Sequence, residues 1–394
     1  MNRRERQRGE FWRGRKVLVT GHTGFKGSWL CEWLLQLGAE VHGAALAARA
    51  DGPAPALADV LRIQERIHHH ELDLVDAAAT AAVVAEVRPD VVLHLAAQSL
   101  VRTSYEQPLA TLASNVMGTA HLFAALGACA YTVERPCAVV CVTSDKCYRN
   151  DGSGRAFAET SPFGGSDPYS ASKGMVELLA AAWRRSFFAP AGRVAAVRLA
   201  TARAGNVVGG GDTARDRIVV DAVQALANGE PIRVRQPQAV RPWQHVLDPL
   251  AGYLDLAQRL YTVPGPNESG WNFGPGPSGE CTVAELCDAL VQAWGSGSWR
   301  HVPSGDDKPE AAVLRLATHK AKRELGWRPT WSFAQTIART VDWYHTAHAC
   351  GHDPERMRAL TQAQIAAFVR ERAGASPRTP GPKGELAPLL GGSS

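Results

Sequence analysis

The segment KVLVTGHTGFKG, residues 16–27, decides the fold of this chain. Its first five residues are rich in β-branched side chains, which predicts a strand. Glycines then recur every third residue, and apolar residues at helical spacing follow. Glycines in a turn between a strand and a helix let the backbone approach a pyrophosphate, and the helix N-terminus offers free N–H groups. A plain glycine-rich turn is the alternative, but this placement favours dinucleotide binding.

Strand and helix patterns alternate from this segment to about residue 200. The sequence predicts further strands over 40–44, 68–72, 91–95, 138–143 and 194–199, and helices over 76–87, 109–130 and 169–188. This alternation predicts an α/β fold with a Rossmann-type doubly wound parallel sheet. Glycine- and proline-rich connections follow, with a helix near 219–227, and there we expect a smaller C-terminal α/β substrate-binding lobe.

The expected organisation has four parts. A basic N-terminal arm covers residues 1–10, and a dinucleotide-binding Rossmann domain covers 11–199. The substrate lobe covers mainly 200–350, with some segments returning to the Rossmann domain. Residues 351–394 are expected to form a C-terminal helix and a disordered tail, because the tail is rich in Pro, Gly and Ser.

Composition and charge narrow the class of protein. The 394 residues are 45% hydrophobic and 21% charged, which is ordinary for a soluble globular protein. We find no uncharged apolar run near the roughly 18 residues of a membrane span and no secretory signal, which predicts a cytoplasmic protein. Residues 1–16 hold seven Lys/Arg and two Asp/Glu, a balance equal to the +5 of the whole chain, so a nucleic-acid partner is not expected. The eight cysteines include no CxxC pair, so we expect a reduced compartment and no structural zinc.

Two motifs carry the predicted chemistry, TSDK at 143–146 and YSASK at 169–173. Tyr169 and Lys173 are four residues apart and share a helix face, so the ammonium can favour ionisation of the phenol below its ordinary pKa of about 10. Ser144, at the end of the preceding strand, can share a substrate hydroxyl proton with Tyr169. A Tyr-x-x-x-Lys pair alone is common, but its position after the glycine loop and this serine predicts proton transfer coupled to hydride transfer.

Many runs over about residues 11–350 resemble the extended short-chain dehydrogenases, the NAD-dependent epimerase/dehydratase family, and within it the CDP-sugar branch of the 4,6-dehydratases. The matching runs are VTGHTGFKGSWL, LVRTSYEQP, NVMGT, VTSDKCY, DPYSASKG, RAGNVVGGGD, RPWQHV, SGWNFGP and ELGWRP. The resemblance implies an NAD-dependent lyase (a hydro-lyase) of deoxysugar biosynthesis, which converts CDP-glucose to CDP-4-keto-6-deoxyglucose.

The resemblance also implies a reaction order and residue roles. Tyr169 deprotonates the C4 hydroxyl while hydride leaves C4 for the cofactor, water is eliminated across C5 and C6, and hydride returns to C6. Asp145 protonates the departing C6 hydroxyl, and Lys146 takes the C5 proton. Lysine acts as a base only where desolvation or a neighbouring cation lowers its pKa, so the alternative for Lys146 is a simple ion-pair role.

Cofactor residues are expected along the glycine loop and the strand ends. They are Gly21, His22, Thr23, Gly24, Phe25, Lys26, Gly27, Asp73, Leu74, Leu95, Ala96, Ala97 and Asn115, together with Tyr169 and Lys173. Lys26 lies either near the phosphates or in solvent, and Asp73 either contacts adenine or caps a helix. The resemblance implies NAD as the cofactor. The family pattern has an acid where this chain has Ala47, and the loss of that acid leaves NADP open.

Substrate residues are expected to include guanidinium groups, because their fork of N–H donors fits a pyrophosphate. Arg235 and Arg241 are the first choices, with Arg217 behind them, and the other candidates are Gln98, Arg102, Arg203 and Asn206. His245 is expected to be structural. This chain departs from the family pattern at three positions: Ser99 replaces a proline, Thr213 a tryptophan and Ala317 an aspartate. The nucleotide base and the exact sugar of the substrate therefore stay open.

Two alternative functions and an assembly were also considered. An epimerase would share the glycine loop and the Tyr169–Lys173 pair but has no use for Asp145 and Lys146. A non-catalytic dinucleotide sensor of the same fold typically lacks the tyrosine. The Ala- and Leu-rich helices at 109–130 and 169–188, with the resemblance, predict a homodimer or a dimer of dimers, although burial within one chain would give the same composition.

Overall fold

The computed structural model describes residues 9–48, 54–189, 194–265, 269–303 and 313–375. The basic arm predicted over residues 1–10 lies outside these residues except for its last two. The tail after residue 375 also lies outside them.

A seven-stranded parallel sheet forms the centre of the fold. The described strands, in chain order, are β1 (Lys16–Thr20), β2 (Glu40–Ala45), β3 (His68–Glu71), β4 (Val91–His94), β5 (Cys137–Val142), β6 (Val197–Ala204), β7 (Val207–Val208), β8 (Ile232–Val234), β9 (Val240–Pro242), β10 (Gln244–His245), β11 (Gly270–Phe273), β12 (Glu280–Thr282) and β13 (Trp299–His301). The order in the central sheet is β11-β6-β5-β4-β1-β2-β3, and each neighbouring pair is parallel. The predicted Rossmann-type fold is therefore confirmed.

The middle strands are buried on both faces, which explains their nearly continuous apolar sequence. Every residue of β4, β5 and β6 is buried. One face packs on a core that contains Trp29 and Leu254, and the other on a core that contains Phe123 and Val176. This packing on both faces fixes the ends of the strands relative to one another.

The described helices cover both faces of the sheet and the smaller lobe. They are α1 (Phe25–Gln36), α2 (Leu57–Val60), α3 (Ala77–Val87), α4 (Val101–Glu106), α5 (Pro108–Leu112), α6 (Gly118–Ala128), α7 (Pro168–Trp183), α8 (Ile218–Ala227), α9 (Leu247–Thr262), α10 (Val283–Trp294), α11 (Phe333–Cys350) and α12 (Pro354–Ala375). Wider π-helical turns at Ala113–Met117 and Arg184–Phe188 join α5 to α6 and extend α7. The strand predicted over 194–199 was placed too early, since the observed strand continues to residue 204.

The second half of the chain builds small sheets beside the main one. β7 pairs with β10, β8 with β13, and β9 with β12. Helices α8 and α10 share an apolar core with these strands, which includes Val219 and Leu286. β11 returns to the central sheet beside β6. The division into a cofactor domain and a substrate lobe stays a prediction.

The stretch Pro108–Ala128 is long and apolar enough to cross a membrane by length and composition alone, unlike the sequence expectation. In the fold it packs against α3 and α7, and nearly half of it is buried. It is therefore a packed helix of the α/β fold, with Leu109 and Met117 exposed on its outer side.

Candidate active site

A large cavity lies at the carboxyl ends of the parallel strands. Its volume is about 1210 Å³, and the segments that follow β1 to β6 all contribute to its walls. Parallel α/β sheets bind ligands at this edge, because the loops there diverge on either side of the sheet. Cavities for single small ligands are about 300–1000 Å³, so this one has room for a cofactor and a substrate together.

The glycine loop turns tightly at one wall of the cavity. Gly21 has a φ of 74°, and a Cβ on it would lie 2.7 Å from the backbone nitrogen of Ala96. A Cβ on Gly27 would lie 2.1 Å from the carbonyl oxygen of Gly21. Only glycine fits at these two positions, and α1 begins at Phe25 within the same turn. The loop and the start of α1 therefore fit the pyrophosphate of a dinucleotide.

Most of the expected cofactor residues line the cavity, but His22 and Asn115 do not. The imidazole of His22 is fully buried beneath the loop, and its Nε2 lies 2.9 Å from Nδ1 of His69. The amide of Asn115 is also buried, where it accepts from the backbone N–H of Gln98 and donates to Ser172 Oγ. The prediction of direct cofactor contact is corrected for both, because their side chains support the walls from behind.

Lys26 and Asp73 both lie at the cavity wall, and their contact with a cofactor stays a prediction. Lys26 lines the cavity, and its Nζ donates to the hydroxyl of Tyr253 at 3.3 Å. Burial, helped by nearby Arg217, lowers the pKa of Lys26 to about 7. Asp73 lines the cavity too, and its Oδ1 accepts from the backbone of Val75, so it shapes the turn after β3.

All five expected catalytic residues line the cavity: Ser144, Asp145, Lys146, Tyr169 and Lys173. Ser144 Oγ donates to Asp145 Oδ1 at 3.0 Å, and Lys173 Nζ donates to a strand carbonyl of β5 at 3.3 Å. Burial raises the pKa of Tyr169 to about 12, and a hydrogen bond with Ser144 opposes that rise. Burial also lowers the pKa of Lys173. The phenol is therefore protonated at neutral pH until a bound ligand adds positive charge.

Asp145 has one carboxylate oxygen without a partner among the described residues. Asp145 is 2% exposed, and its Oδ2 makes no hydrogen bond there. A Cβ at Gly205 would come within 3.1 Å of this oxygen, so glycine keeps the space beside it open. An unsatisfied buried polar group costs about 1–3 kcal/mol, which marks this oxygen as a position for a ligand group.

Polar and cationic residues line the opposite part of the cavity. Those expected from the sequence are Gln98, Arg102, Asn206, Arg217, Arg235 and Arg241. Arg217 bonds to Asp212 and Ser99, and Arg102 lies 3.4 Å from Asp216. The sequence prediction missed Arg149 and Arg233, which also line this part. The cluster of basic residues at 215–241 was the only signal for Arg233.

Arg203 is a correction, because it does not line the cavity. Its guanidinium is buried, bonds both carboxylate oxygens of Glu177 at 2.7 Å and reaches the hydroxyl of Tyr148. Glu177 lies on α7, one helical turn after Lys173. The ion pair between Arg203 and Glu177 therefore holds α7 against β6. The sequence prediction missed Glu177, for which the helical spacing from Lys173 was the available signal.

Replacing Arg203 by Gln is expected to destabilise the fold by about 3–5 kcal/mol, because it leaves the buried charge of Glu177 without its partner. Urea unfolding measures this loss. Replacing Arg235, a cavity residue, by Gln is expected to raise KM and leave the unfolding midpoint unchanged. The same unfolding midpoint for both variants would contradict the structural role of Arg203.

His245 lies outside the cavity walls, as expected for a structural residue. Its ring packs between those of Trp29 and Trp331, with centroids at 5.8 and 4.6 Å. His94 is a second buried imidazole, and it lies between the hydroxyls of Thr20 and Thr119 at 2.6 and 2.8 Å. Burial lowers the pKa of His94 to about 3 and the pKa of His245 to about 3.

The buried His94 predicts a loss of stability in acid. Its folded pKa of about 3 lies below the unfolded value of 6.5, so the unfolded chain takes up the proton first and stability falls as the pH drops below 6.5. Between pH 7 and pH 5.5 this one group lowers the free energy of unfolding by about 1 kcal/mol. The free energy of unfolding, measured with urea at the two pH values, should fall by about 1 kcal/mol less for His94→Asn than for the unsubstituted protein. Equal pH slopes would contradict this role.

Comparison with known proteins gives a consistent set of similarities. The family model described as GDP-mannose 4,6 dehydratase matches residues 18–268. The chain is 46% identical over 347 residues to CDP-glucose 4,6-dehydratase of Salmonella typhimurium, across 87% of this chain and 94% of the relative. It is 30% identical over 292 residues to dTDP-glucose 4,6-dehydratase of Xanthomonas campestris pv. campestris, across 70% of this chain and 78% of the relative.

Solved structures share the fold across two reactions. One is the dTDP-glucose 4,6-dehydratase of Streptomyces venezuelae with NAD and TYD bound, with a TM-score of 0.69 and 26% identity over 85% of this chain and 98% of that one. Another is UDP-glucose 4-epimerase of Thermus thermophilus in complex with NAD, with a TM-score of 0.69 and 25% identity over 84% and 99%. Since the dehydratase and the epimerase have the same TM-score to this chain, the overall fold does not separate dehydration from epimerisation.

Proposed function

This chain belongs to the GDP-mannose 4,6 dehydratase family and is a sugar-nucleotide 4,6-dehydratase, and we propose that its substrate is CDP-glucose. The product is then CDP-4-keto-6-deoxyglucose, a precursor for deoxysugar biosynthesis. The 46% identity to the Salmonella typhimurium CDP-glucose 4,6-dehydratase over most of both chains supports this nucleotide base. The other relatives described above act by name on dTDP- or UDP-sugars and are no more than 30% identical.

The observation that carries the proposal is the place of Asp145 and Lys146. Both line the same cavity as Tyr169, and Asp145 presents a buried carboxylate oxygen that has no partner among the described residues. Elimination of water needs an acid for the leaving hydroxyl and a base for the neighbouring carbon. An epimerase needs neither, so the Asp145–Lys146 pair favours dehydration.

This placement supports the following roles for the individual residues. Ser144 and Tyr169 hold the C4 hydroxyl, and Tyr169 takes its proton. Once C4 is a ketone, the C5 proton is acidic, and Lys146 takes it while Asp145 gives a proton to the C6 hydroxyl that leaves as water. Asn206 and the Arg217, Arg235 and Arg241 group bind the nucleotide end.

The enzyme uses NAD, which when bound would supply the acceptor for the C4 hydride and return that hydride to C6, while Lys146 gives its proton back to C5. The glycine loop, with its backbone approach at Gly21 and Gly27, fits the pyrophosphate. Tyr169 and Lys173 lie in the same cavity, where they hold the substrate hydroxyl and orient the nicotinamide end. Ala47 stands just beyond β2 and Arg49 and Asp51 lie outside the described residues, so the choice against NADP rests on the relatives.

The experiment that tests the proposal is an assay of the purified protein with NAD and, separately, CDP-, UDP-, dTDP- and GDP-glucose. Mass spectrometry follows the loss of one water from each sugar nucleotide. We expect dehydration of CDP-glucose in clear preference to the others. Preference for a different base would overturn the substrate, and isomerisation without water loss would favour an epimerase.

The enzyme is a soluble protein, and we propose that it works in the cytoplasm as a homodimer. Exposed apolar side chains lie on two helical stretches in mutual contact: Leu109 and Met117 on Pro108–Ala128, and Met175 and Leu178 on α7. Exposed apolar groups on adjacent helices favour a helix-to-helix interface between copies.

Replacing Leu178, 60% exposed, by Glu is expected to convert the dimer to a monomer, because the interface would bury an unpaired charge. Light scattering coupled to size-exclusion chromatography measures the mass. Val194→Glu is the matched control, since Val194 is 55% exposed and lies in the irregular segment before β6. An unchanged mass for Leu178→Glu would contradict this interface.

A further inference from the structure

Four ionisable side chains crowd one face of the sheet edge, away from the catalytic residues. Glu40 and His42 are two apart in β2, so they point to the same face, and His68 and His70 do the same in β3. The register pairs His42 directly with His68. β3 is the last strand of the sheet, so this face is reached from solvent.

Three of these side chains bring donor atoms together. We propose that Glu40, His42 and His68 bind one zinc ion, or a similar divalent transition metal, on the outer edge of the sheet. One ligand atom from each lies within 4.8 Å of the other two, and Nε2 of His42 is 3.1 Å from Oε1 of Glu40. Ligand atoms around tetrahedral zinc lie roughly 3.3 Å apart for bonds of about 2.0–2.1 Å, so small side-chain rotations complete the site.

The surroundings of His42 match those of a metal-binding imidazole. Its side chain is only 10% exposed and stacks on the ring of His68, with centroids 4.4 Å apart, so its position is fixed by packing. Its Nδ1 faces Nε2 of His70 at 3.5 Å. Metal-bound histidines commonly donate their second ring N–H to a neighbouring acceptor, and His70 supplies one here.

The donor set selects the class of metal. Two imidazoles and one carboxylate suit zinc and the later first-row transition metals, whereas magnesium and calcium prefer oxygen ligands alone. The fourth position is open to water, since Glu40 and His68 lie at the surface. The ion would link β2 to the edge strand β3, directly before the residues Ala45 and Leu72 that line the cofactor end of the cavity.

The test uses the full chain, free of any affinity tag and stripped of metal with a chelator. Zinc is titrated by calorimetry, cobalt by its visible absorption, and thermal unfolding is followed with and without zinc. We expect one ion per chain with micromolar or tighter affinity, cobalt bands of tetrahedral type, and a higher unfolding midpoint with zinc. Failure to bind one zinc ion per chain would overturn the proposal.

Two variants and one control locate the site. Glu40→Gln and His68→Ala are expected to weaken zinc binding by at least about tenfold and to remove the rise in the unfolding midpoint. Glu40 is partly exposed and His68 is exposed, so the fold should tolerate the changes. His69→Asn is the matched control, because it lies in the same strand but points to the opposite face and should keep full affinity. Zinc affinity that is equal in all three variants and the unsubstituted protein would place the ion elsewhere and overturn the assignment.

Discussion

Tyr169→Phe is expected to lower kcat by about 10²–10⁴-fold while the affinity for NAD and CDP-glucose stays near its normal value. The hydroxyl is the only group removed, and the glycine loop and the arginines that hold the two nucleotides are untouched. Because burial raises the pKa of Tyr169 to about 12, the neutral phenol dominates at pH 7 and activity should rise with pH as it ionises. This rising limb should be absent from the variant.

Steady-state kinetics across pH and calorimetric titration of NAD measure these effects. Tyr131→Phe is the matched control, because Tyr131 lies outside the cavity walls and loses the same hydroxyl. A Tyr169→Phe enzyme that keeps most of its kcat, or one whose NAD affinity falls in step with its activity, would contradict the role of Tyr169 as the base for the C4 hydroxyl.

Lys146→Gln is expected to stop the reaction after oxidation at C4. Overall dehydration should fall by about 10²–10⁴-fold, because the base for the C5 proton is lost. Tyr169, Ser144 and Lys173 remain in place, so the first hydride transfer should still occur. Absorbance of reduced nicotinamide should therefore appear in a single turnover and persist, and exchange of the C5 hydrogen with deuterium from solvent should be lost.

The controls for this prediction separate the two roles considered for Lys146. Lys322→Gln, on the π-helical turn Ala321–Leu325 outside the cavity walls, should behave like the unsubstituted enzyme. Asp145→Asn should also retain the absorbance change but should keep C5 exchange, since its base is intact. If Lys146→Gln loses the absorbance change together with dehydration, or keeps C5 exchange, the ion-pair role is the better account.

The strands of the central sheet could be predicted from the sequence because each strand carries its own pattern, whereas their order was seen only in the structure. KVLVT and the strands at 91–94 and 137–142 are continuous apolar runs, as parallel strands covered on both faces must be. The ends of elements were less certain. The strand at 197–204 continues past its predicted end at residue 199 and includes Thr201 and Arg203. Both are buried and hydrogen-bonded to Glu177.

The sequence by itself determined the motif residues of the site, since the glycine loop, Ser144, Asp145, Lys146, Tyr169 and Lys173 follow from local spacing and resemblance. Tertiary structure alone decided which other side chains reach the cavity. His22, Asn115 and Arg203 stand within matching motifs but point away from it, and Arg149 and Arg233 reach it without a motif. The physical reason is that a side chain's partner across the fold, such as Glu177 for Arg203, fixes its direction. Local sequence specifies the backbone path but not that distant partner.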